Sequence, residues 1–349
     1  MNSFWKDKRV LITGGTGFLG KHLSDALLKE GASLSILDFR KPGWEIREGN
    51  FYEADIRDKD KLNTLCRNID IVFHLAAMPS IARGKFNEYF EINVKGTENI
   101  LEAAFQNKVK KFVHISSSTV YGVPNEFPLK EDSRLSPIGK YGKSKLEAER
   151  LCRRFIAKGM DISIIRPRVI MGPGRIGIFS ILFERICHNK PVYLIGKGKN
   201  VFQFTNIFDM VSACMKAAEY TSPDLFNIGS NDLLPVKDEL LALIRYAKSN
   251  SCIKSLNPML TKISLKGLSC LGVSPLVNEQ FCIADKNFKL DTTYAKAKLN
   301  WQPLYSNLDS LIQAYDWYIK NVGVNAGQYQ DILGVLGKFK HSKMGAFQE

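Results

Sequence analysis

The sequence predicts an α/β protein with a doubly wound parallel sheet followed by a smaller, mixed C-terminal domain. Three observations carry this. Short β-branched or apolar runs alternate with stretches of helical periodicity through the first two thirds of the chain. A glycine-spaced turn joins the first strand directly to the first helix. With 45% of its 349 residues apolar, the chain is long enough for one large core or two moderate ones, and nothing in its composition suggests disorder or fibre.

In order, RVLIT (9–13) reads as a strand, and GGTGFLG opens a helix in which Leu19, Leu23, Leu27 and Leu28 recur on one face. Gly31 ends that helix, and SLSILD forms a second strand finishing on Asp38. Further strands are expected at 50–55, 70–77 and 111–118, with helices at 58–66 and 89–105 between them. A helix carrying YGKSK follows, then a sixth strand at 161–167. The glycine- and proline-rich MGPGRIG marks a change of domain. Beyond it, 176–190 reads as helix, VFQFTNIFDMVSACMKAAE as strand then helix, and 225–230 as a seventh strand returning to the sheet. The remainder mixes short helices and ends in a helix over 307–321.

The turn Gly14, Gly17, Gly20 is GxxGxxG, a variant of the dinucleotide fingerprint. Glycine permits the tight turn, then close backbone approach to pyrophosphate, then helix-on-strand packing; the phosphates would sit on the helix N-terminus. Asp38 ends the second strand, where a carboxylate accepts hydrogen bonds from adenosine ribose hydroxyls, which favours NAD over NADP. Arg40 and Lys41 follow it and leave room for a 2′-phosphate. Tyr141 and Lys145 are four apart and share a helix face. A phenol is a poor base at neutral pH, and a neighbouring ammonium favours its ionised form, so the pair is a candidate acid/base. The most economical division puts 1–168, with about 201–230 returning, in a Rossmann domain binding NAD. Residues 169–200 and 231–322 then form a substrate domain, and 323–349 a basic tail.

Seven cysteines without a CxxC pair argue against a secreted disulfide scaffold and for a reducing cytoplasm. The charged opening MNSFWKDK leaves no room for a signal peptide, and no run reaches the about 18 apolar residues of a membrane span. Net charge of +14 suits an anionic small molecule or an acidic membrane surface. Sequence-specific nucleic-acid binding has no helix-turn-helix or zinc pattern behind it, and no metal site is expected.

Taken together, TGGTGFLG (13–20), Asp38, Asp55-Ile56, HLAA (74–77), NVKGTENIL (93–101), SSSTVYG (116–122), YGKSK (141–145) and RPRVIMGPG (166–174) resemble the extended short-chain dehydrogenase/reductases, in particular the nucleotide-sugar epimerases and dehydratases. The resemblance covers roughly residues 9–321. It implies that Tyr141 is the acid/base, that Lys145 holds the nicotinamide ribose and lowers the pKa of Tyr141, and that Ser117 is the helper hydroxyl, with Thr119 its rival on the same strand face. It also implies that Gly14, Thr16, Gly17, Phe18, Leu19 and Gly20 surround the pyrophosphate. Asp55 and Ile56 would hold adenine, Leu75, Ala76 and Ala77 would line the cleft, and Asn93 would face the cofactor. A solvated aspartate at 55, a plain polar helix residue at 93 and a packed strand histidine at 74 are the structural alternatives.

The match departs from the family in two places. An asparagine expected after the arginine of the sixth strand is replaced at Val169 or its neighbours in RPRV, and an arginine that clamps diphosphate is replaced at Phe202. Arg168, Arg175, Lys197 and Lys199 lie nearby to meet phosphates, and Ser118 and Thr119 join Ser117 as substrate contacts. Ser118-Thr119 stands where dehydratases carry Asp-Glu, which speaks against a dehydratase. The expected activity is therefore epimerisation of a nucleotide-sugar by an NAD enzyme. The alternative is a hydroxysteroid-dehydrogenase-like oxidoreductase acting on a lipid-like alcohol or ketone. Apolar segments with interleaved lysines at 260–277 and 332–343 suit a peripheral membrane contact or, alternatively, a substrate-domain helix and a frayed tail. The resemblance also implies a homodimer.

Overall fold

The structure is a computed structural model that describes residues 4–323 other than 42, 45–47, 83, 176, 271–273 and 275. The elements run β1 (Arg9–Thr13), α1 (Phe18–Lys29), β2 (Ser33–Asp38), β3 (Asn50–Glu53), α2 (Lys59–Leu65), β4 (Ile71–His74), α3 (Phe86–Phe90), α4 (Gly96–Gln106) and β5 (Lys111–Ile115). Next come α5 (Lys140–Ile156), β6 (Ile162–Pro167), β7 (Val169–Met171), α6 (Ile178–Cys187), β8 (Val192–Ile195), β9 (Phe204–Asn206), α7 (Ile207–Glu219) and β10 (Asp224–Ile228). The chain closes with α8 (Val236–Tyr246), β11 (Ile253–Leu256), α9 (Pro258–Cys270), α10 (Asn278–Phe281), α11 (Thr293–Leu299) and α12 (Asn307–Tyr318).

Seven strands form one parallel sheet in the order β10-β6-β5-β4-β1-β2-β3. Every residue of β4, β5 and β6 is buried, as a sheet covered on both faces requires. One face packs on α1, α7 and α11 through Leu23, Leu27, Met210, Cys214 and Trp301; the other packs on α2, α4 and α5 through Leu62, Ile100, Leu101 and Cys152. The strand order reverses at β1, between β2 and β4, so the crevice beyond the carboxyl ends of β1 and β4 is the ligand position this topology provides. A third core, with Phe183, Leu194, Leu243 and Tyr315, holds the later helices and the two-stranded pairs β7/β9 and β8/β11.

Several expected boundaries are corrected. The third, fourth and fifth strands end at Glu53, His74 and Ile115, because the chain turns off the sheet edge at each of those points. Residues 89–105 are helical throughout, and the run begins earlier, at Phe86, and passes through a π-helical turn, Glu91–Lys95, between α3 and α4. The strand before α7 pairs with β7 and does not join the main sheet. The segment 332–343 lies outside the described residues, as does part of 260–277. Among the described residues no helix is long and apolar enough to cross a membrane, no cluster suits a metal ion, and the six cysteines with described side chains are free thiols.

Candidate active site

The turn between β1 and α1 closes tightly against the loop after β4. Gly14 has φ +70°, and a Cβ there would stand 2.6 Å from the Ala76 nitrogen; one at Gly20 would stand 2.4 Å from the Gly15 oxygen. Gly17 is the N-cap of α1 and supplies no side-chain acceptor, so the first N–H groups of the helix have no side-chain cap. Leu19 is buried beneath, while the Phe18 ring meets His22 and the Arg175 guanidinium. Thr16 aims its hydroxyl and N–H at Asp38 Oδ2 (2.6 and 3.1 Å), and Phe39 N–H donates to Oδ1 at 2.8 Å. Asp38 therefore ties the glycine turn to the end of β2. A Gly14→Ala variant is expected to be destabilised by about 1–3 kcal/mol, since both its φ and its space are wrong for a side chain. Thermal denaturation and the nicotinamide content of purified protein measure this.

Two further residues have local partners. Asp55 is held bidentately by Arg57, at 2.9 and 2.6 Å, which keeps its carboxyl below the usual range. Ile56 is buried against Gly96. Asn93 sits in the π turn, accepts from Met78 N–H at 2.7 Å, and donates to the Met78 carbonyl and to Ser144 Oγ at 2.9 Å. It thereby staples the loop after β4 to α5 between Tyr141 and Lys145. His74 lies between Thr13 (2.7 Å) and Thr97 (2.9 Å). Because Thr97 donates its own proton to the Asn93 carbonyl, Nε2 of His74 carries the hydrogen and Nδ1 accepts from Thr13.

Tyr141 and Lys145 lie one turn apart on α5. Lys145 is 3% exposed, burial pulls its pKa to about 8, and its ammonium makes no hydrogen bond among the described residues. Tyr141 is pushed up to about 12, chiefly by burial and then by Glu279, while a hydrogen bond with Ser117 and the charge of Arg175 pull the other way. Arg175, which the sequence placed only near phosphates, thus also acts on the phenol. Ser117 is not on a strand. It is the extended N-cap of a 3₁₀ turn, Ser118–Tyr121, and its Oγ accepts from the N–H (3.2 Å) and hydroxyl (3.0 Å) of Thr119. The turn, and not strand alternation, brings Ser117 and Thr119 together, and it leaves the Ser117 proton free for Tyr141.

Two anchors were invisible in the sequence. Glu279, from α10, accepts the N–H of Gly142 at 3.3 Å and so caps the N-terminus of α5 from 137 residues away. Its other oxygen is buried without a partner, and burial raises its pKa. Behind the site, Arg166 on β6 grips Glu149 on α5 through two bonds of 2.8 and 2.6 Å and also donates to Tyr121, which bonds Asn227 on β10. Removing one partner of such a pair strands the other charge in the interior, so the link is costly to break. Two residues further on, the guanidinium carbon of Arg168 lies 4.2 Å from the ring centroid of Phe202 and 3.8 Å from that of Phe288, so the aromatic residue that stands where the resemblance expects an arginine packs against another guanidinium.

Residues 10–229 match the family model described as NAD dependent epimerase/dehydratase family. The y4nG protein of Sinorhizobium fredii is 32% identical over 315 residues, covering 90% of this chain and 79% of that protein. A putative UDP-glucose 4-epimerase of Methanocaldococcus jannaschii is 31% identical over 252 residues, covering 68% and 81%. The solved UDP-glucuronic acid 4-epimerase from Bacillus cereus in complex with NAD superposes with a TM-score of 0.74 at 28% identity, over 89% of this chain and 99% of that one. The glycine cradle that a Cβ would fill, the bare end of α1 and the unpaired Lys145 ammonium all fit a dinucleotide. On its sequence and its fold alike, the chain belongs to the NAD-dependent epimerase/dehydratase family.

Proposed function

We propose that this protein is an NAD-dependent epimerase of a nucleotide-sugar. One observation carries the reading: a buried lysine without a protein partner stands one turn from Tyr141, beside Ser117 and the glycine cradle. NAD, when bound, supplies a reversible hydride acceptor. Tyr141 would take the proton of a ring hydroxyl and later return it to the carbonyl oxygen of the keto sugar; with the hydride regained on the opposite face of the ring carbon, the configuration would invert and no net redox change would result. Ser117 has one proton to give, to the Tyr141 phenolate or to the sugar oxygen in turn, and Lys145 donates to the ribose. Backbone at Gly14, Gly17 and Gly20, with Thr16, Phe18 and Leu19, surrounds the pyrophosphate. Asp38 takes the adenosine ribose, Asp55 and Ile56 adenine, and Leu75, Ala76 and Ala77 the wall of the cleft. Asn93 acts through its staple to α5. Ser118, Thr119, Arg168 and Arg175 face the substrate, whose domain is 169–200 with 231–322.

Denaturing protein purified without added cofactor tests the reading. Near-stoichiometric nicotinamide in the supernatant is expected; empty protein that binds NAD only reversibly would oppose a cofactor retained through the cycle. Asp38→Ala is expected to reduce the preference for NAD over NADP by about tenfold, the equivalent of one charge-assisted hydrogen bond. An unchanged preference in paired cofactor titrations would remove Asp38 from the ribose.

Two contacts extend the proposal. A homodimer through α4 and α5 is supported by Phe105, which is 43% exposed and packs beside Phe155. Sedimentation of Phe105→Glu should show a monomer; a dimer of unchanged stability would place the interface elsewhere. A weak contact with acidic membrane is supported by Met259, Leu260 and Ile263, exposed on α9 near Lys262 and Lys266. Failure to co-sediment with phosphatidylserine vesicles would dismiss it.

A further inference from the structure

Arg166 and Arg168 leave the same strand end two residues apart, and both are buried. Their surroundings differ in kind. Arg166 is neutralised by the bidentate carboxylate of Glu149. Arg168 faces no carboxylate among the described residues: its Nη1 reaches Ser118 Oγ at 3.4 Å, while Nε and Nη2 are buried with no hydrogen-bond partner. Its guanidinium carbon lies 4.2 Å from the ring centroid of Phe202 and 3.8 Å from that of Phe288, and a β-bridge holds those two residues opposite each other. Ring faces attract a cation, but less strongly than burial penalises it. Burial alone lowers the pKa of Arg168 to about 9, which still leaves it charged at neutral pH.

An uncompensated guanidinium packed against two rings, with Nε and Nη2 unpaired, suits one kind of ligand, an oxyanion with two acceptor atoms. Position narrows the choice. Ser118 follows Ser117, whose hydroxyl bonds Tyr141, so the donors lie next to the reacting carbon's machinery. Phe288 is 1% exposed and Phe202 only half-buried, so Phe202 is the ring nearer solvent.

We propose that Arg168 and Ser118 form a subsite for an oxyanion carried by the substrate, either a carboxylate on the sugar or the diphosphate. The inference rests on the nucleotide-sugar reading above. Arg168→Met keeps the side chain's length, removes the charge and leaves the rings a thioether to pack on. Stripped of cofactor, the variant is therefore expected to melt no lower than stripped wild type, with rebinding of NAD reporting its fold.

Binding of UDP-glucuronate, UDP-glucose and UDP to wild type, Arg168→Met and Arg168→Lys then separates the sources. A carboxylate subsite gives wild type at least a tenfold preference for UDP-glucuronate over UDP-glucose, lost in Arg168→Met and partly kept in Arg168→Lys. A diphosphate subsite weakens all three ligands together, at least tenfold, in Arg168→Met. Changes below twofold for every ligand would overturn the proposal, as would an Arg168→Met that melts far lower than wild type while Arg168→Lys does not, since that marks a structural clamp. If wild type binds no UDP ligand, the nucleotide-sugar reading fails by itself. Stabilisation by glucuronate or pyrophosphate that depends on Arg168 would still support the subsite, and its absence would remove it.

Discussion

Tyr141→Phe is expected to lower kcat by about 10²–10⁴-fold, the range for a positioned acid/base, while nicotinamide content and melting temperature stay close to wild type. The substitution removes one oxygen. The ring keeps its place on α5, because Glu279 and the Asn93–Ser144 bond fix the helix through backbone and neighbouring atoms. Near-normal turnover in this variant would take the acid/base role from Tyr141. The pH dependence carries a second readout. With the phenol pushed to about 12, the base form is scarce at neutral pH, so kcat should climb with pH until the group ionises or the cofactor's charge lowers it. Glu279 raises the phenol and Arg175 lowers it, so Glu279→Gln should move the rising limb to lower pH and Arg175→Met to higher pH. Identical limbs in all three proteins would show that neither charge tunes the tyrosine.

Lys145→Met should act with opposite signs on stability and on function. In the cofactor-free protein, burial lowers Lys145 from 10.5 to about 8, which costs the charged form about 3 kcal/mol. Between those values the unfolded chain binds more protons than the folded one. Stability therefore rises as pH climbs from about 8 to 10.5, and the penalty is fully present below 8. Methionine removes the penalty, so the cofactor-free variant should melt higher than wild type at pH 7, with the difference closing above pH 10. The same change deletes charge-assisted hydrogen bonds to a ribose, each about 1.5–3 kcal/mol, and should weaken NAD binding by about 10–100-fold. Loss of stability together with unchanged NAD affinity would make Lys145 a structural residue.

Local signals explain how much of this was legible. The strand Arg9–Thr13, the glycine turn and the strand ending on Asp38 are encoded within a few residues of themselves, and the structure places them where the periodicity did. The face shared by Tyr141 and Lys145 follows from helix geometry alone. Strand ends were less readable, because a strand stops where its neighbours stop pairing, so SSSTVYG leaves the sheet after Ile115 although its residues still favour extension. The π turn at 91–95 answers to packing of Asn93 on Ser144, a contact 51 residues long. Glu279 capping α5 and Phe288 closing on Arg168 are longer still, and nothing in NEQF or DKNF announces them. The third core is assembled from separated segments, so its two small sheets, β7/β9 and β8/β11, lacked any pattern to read.

The most direct test of the account follows one hydrogen. Purified enzyme is incubated in D₂O with a panel of UDP-sugars, and the products are read by NMR. The account predicts inversion at a single ring carbon with its hydrogen retained, no deuterium incorporated there, and no reduced nicotinamide released. A keto product appearing with stoichiometric free NADH, or deuterium entering at the inverted carbon, would contradict it.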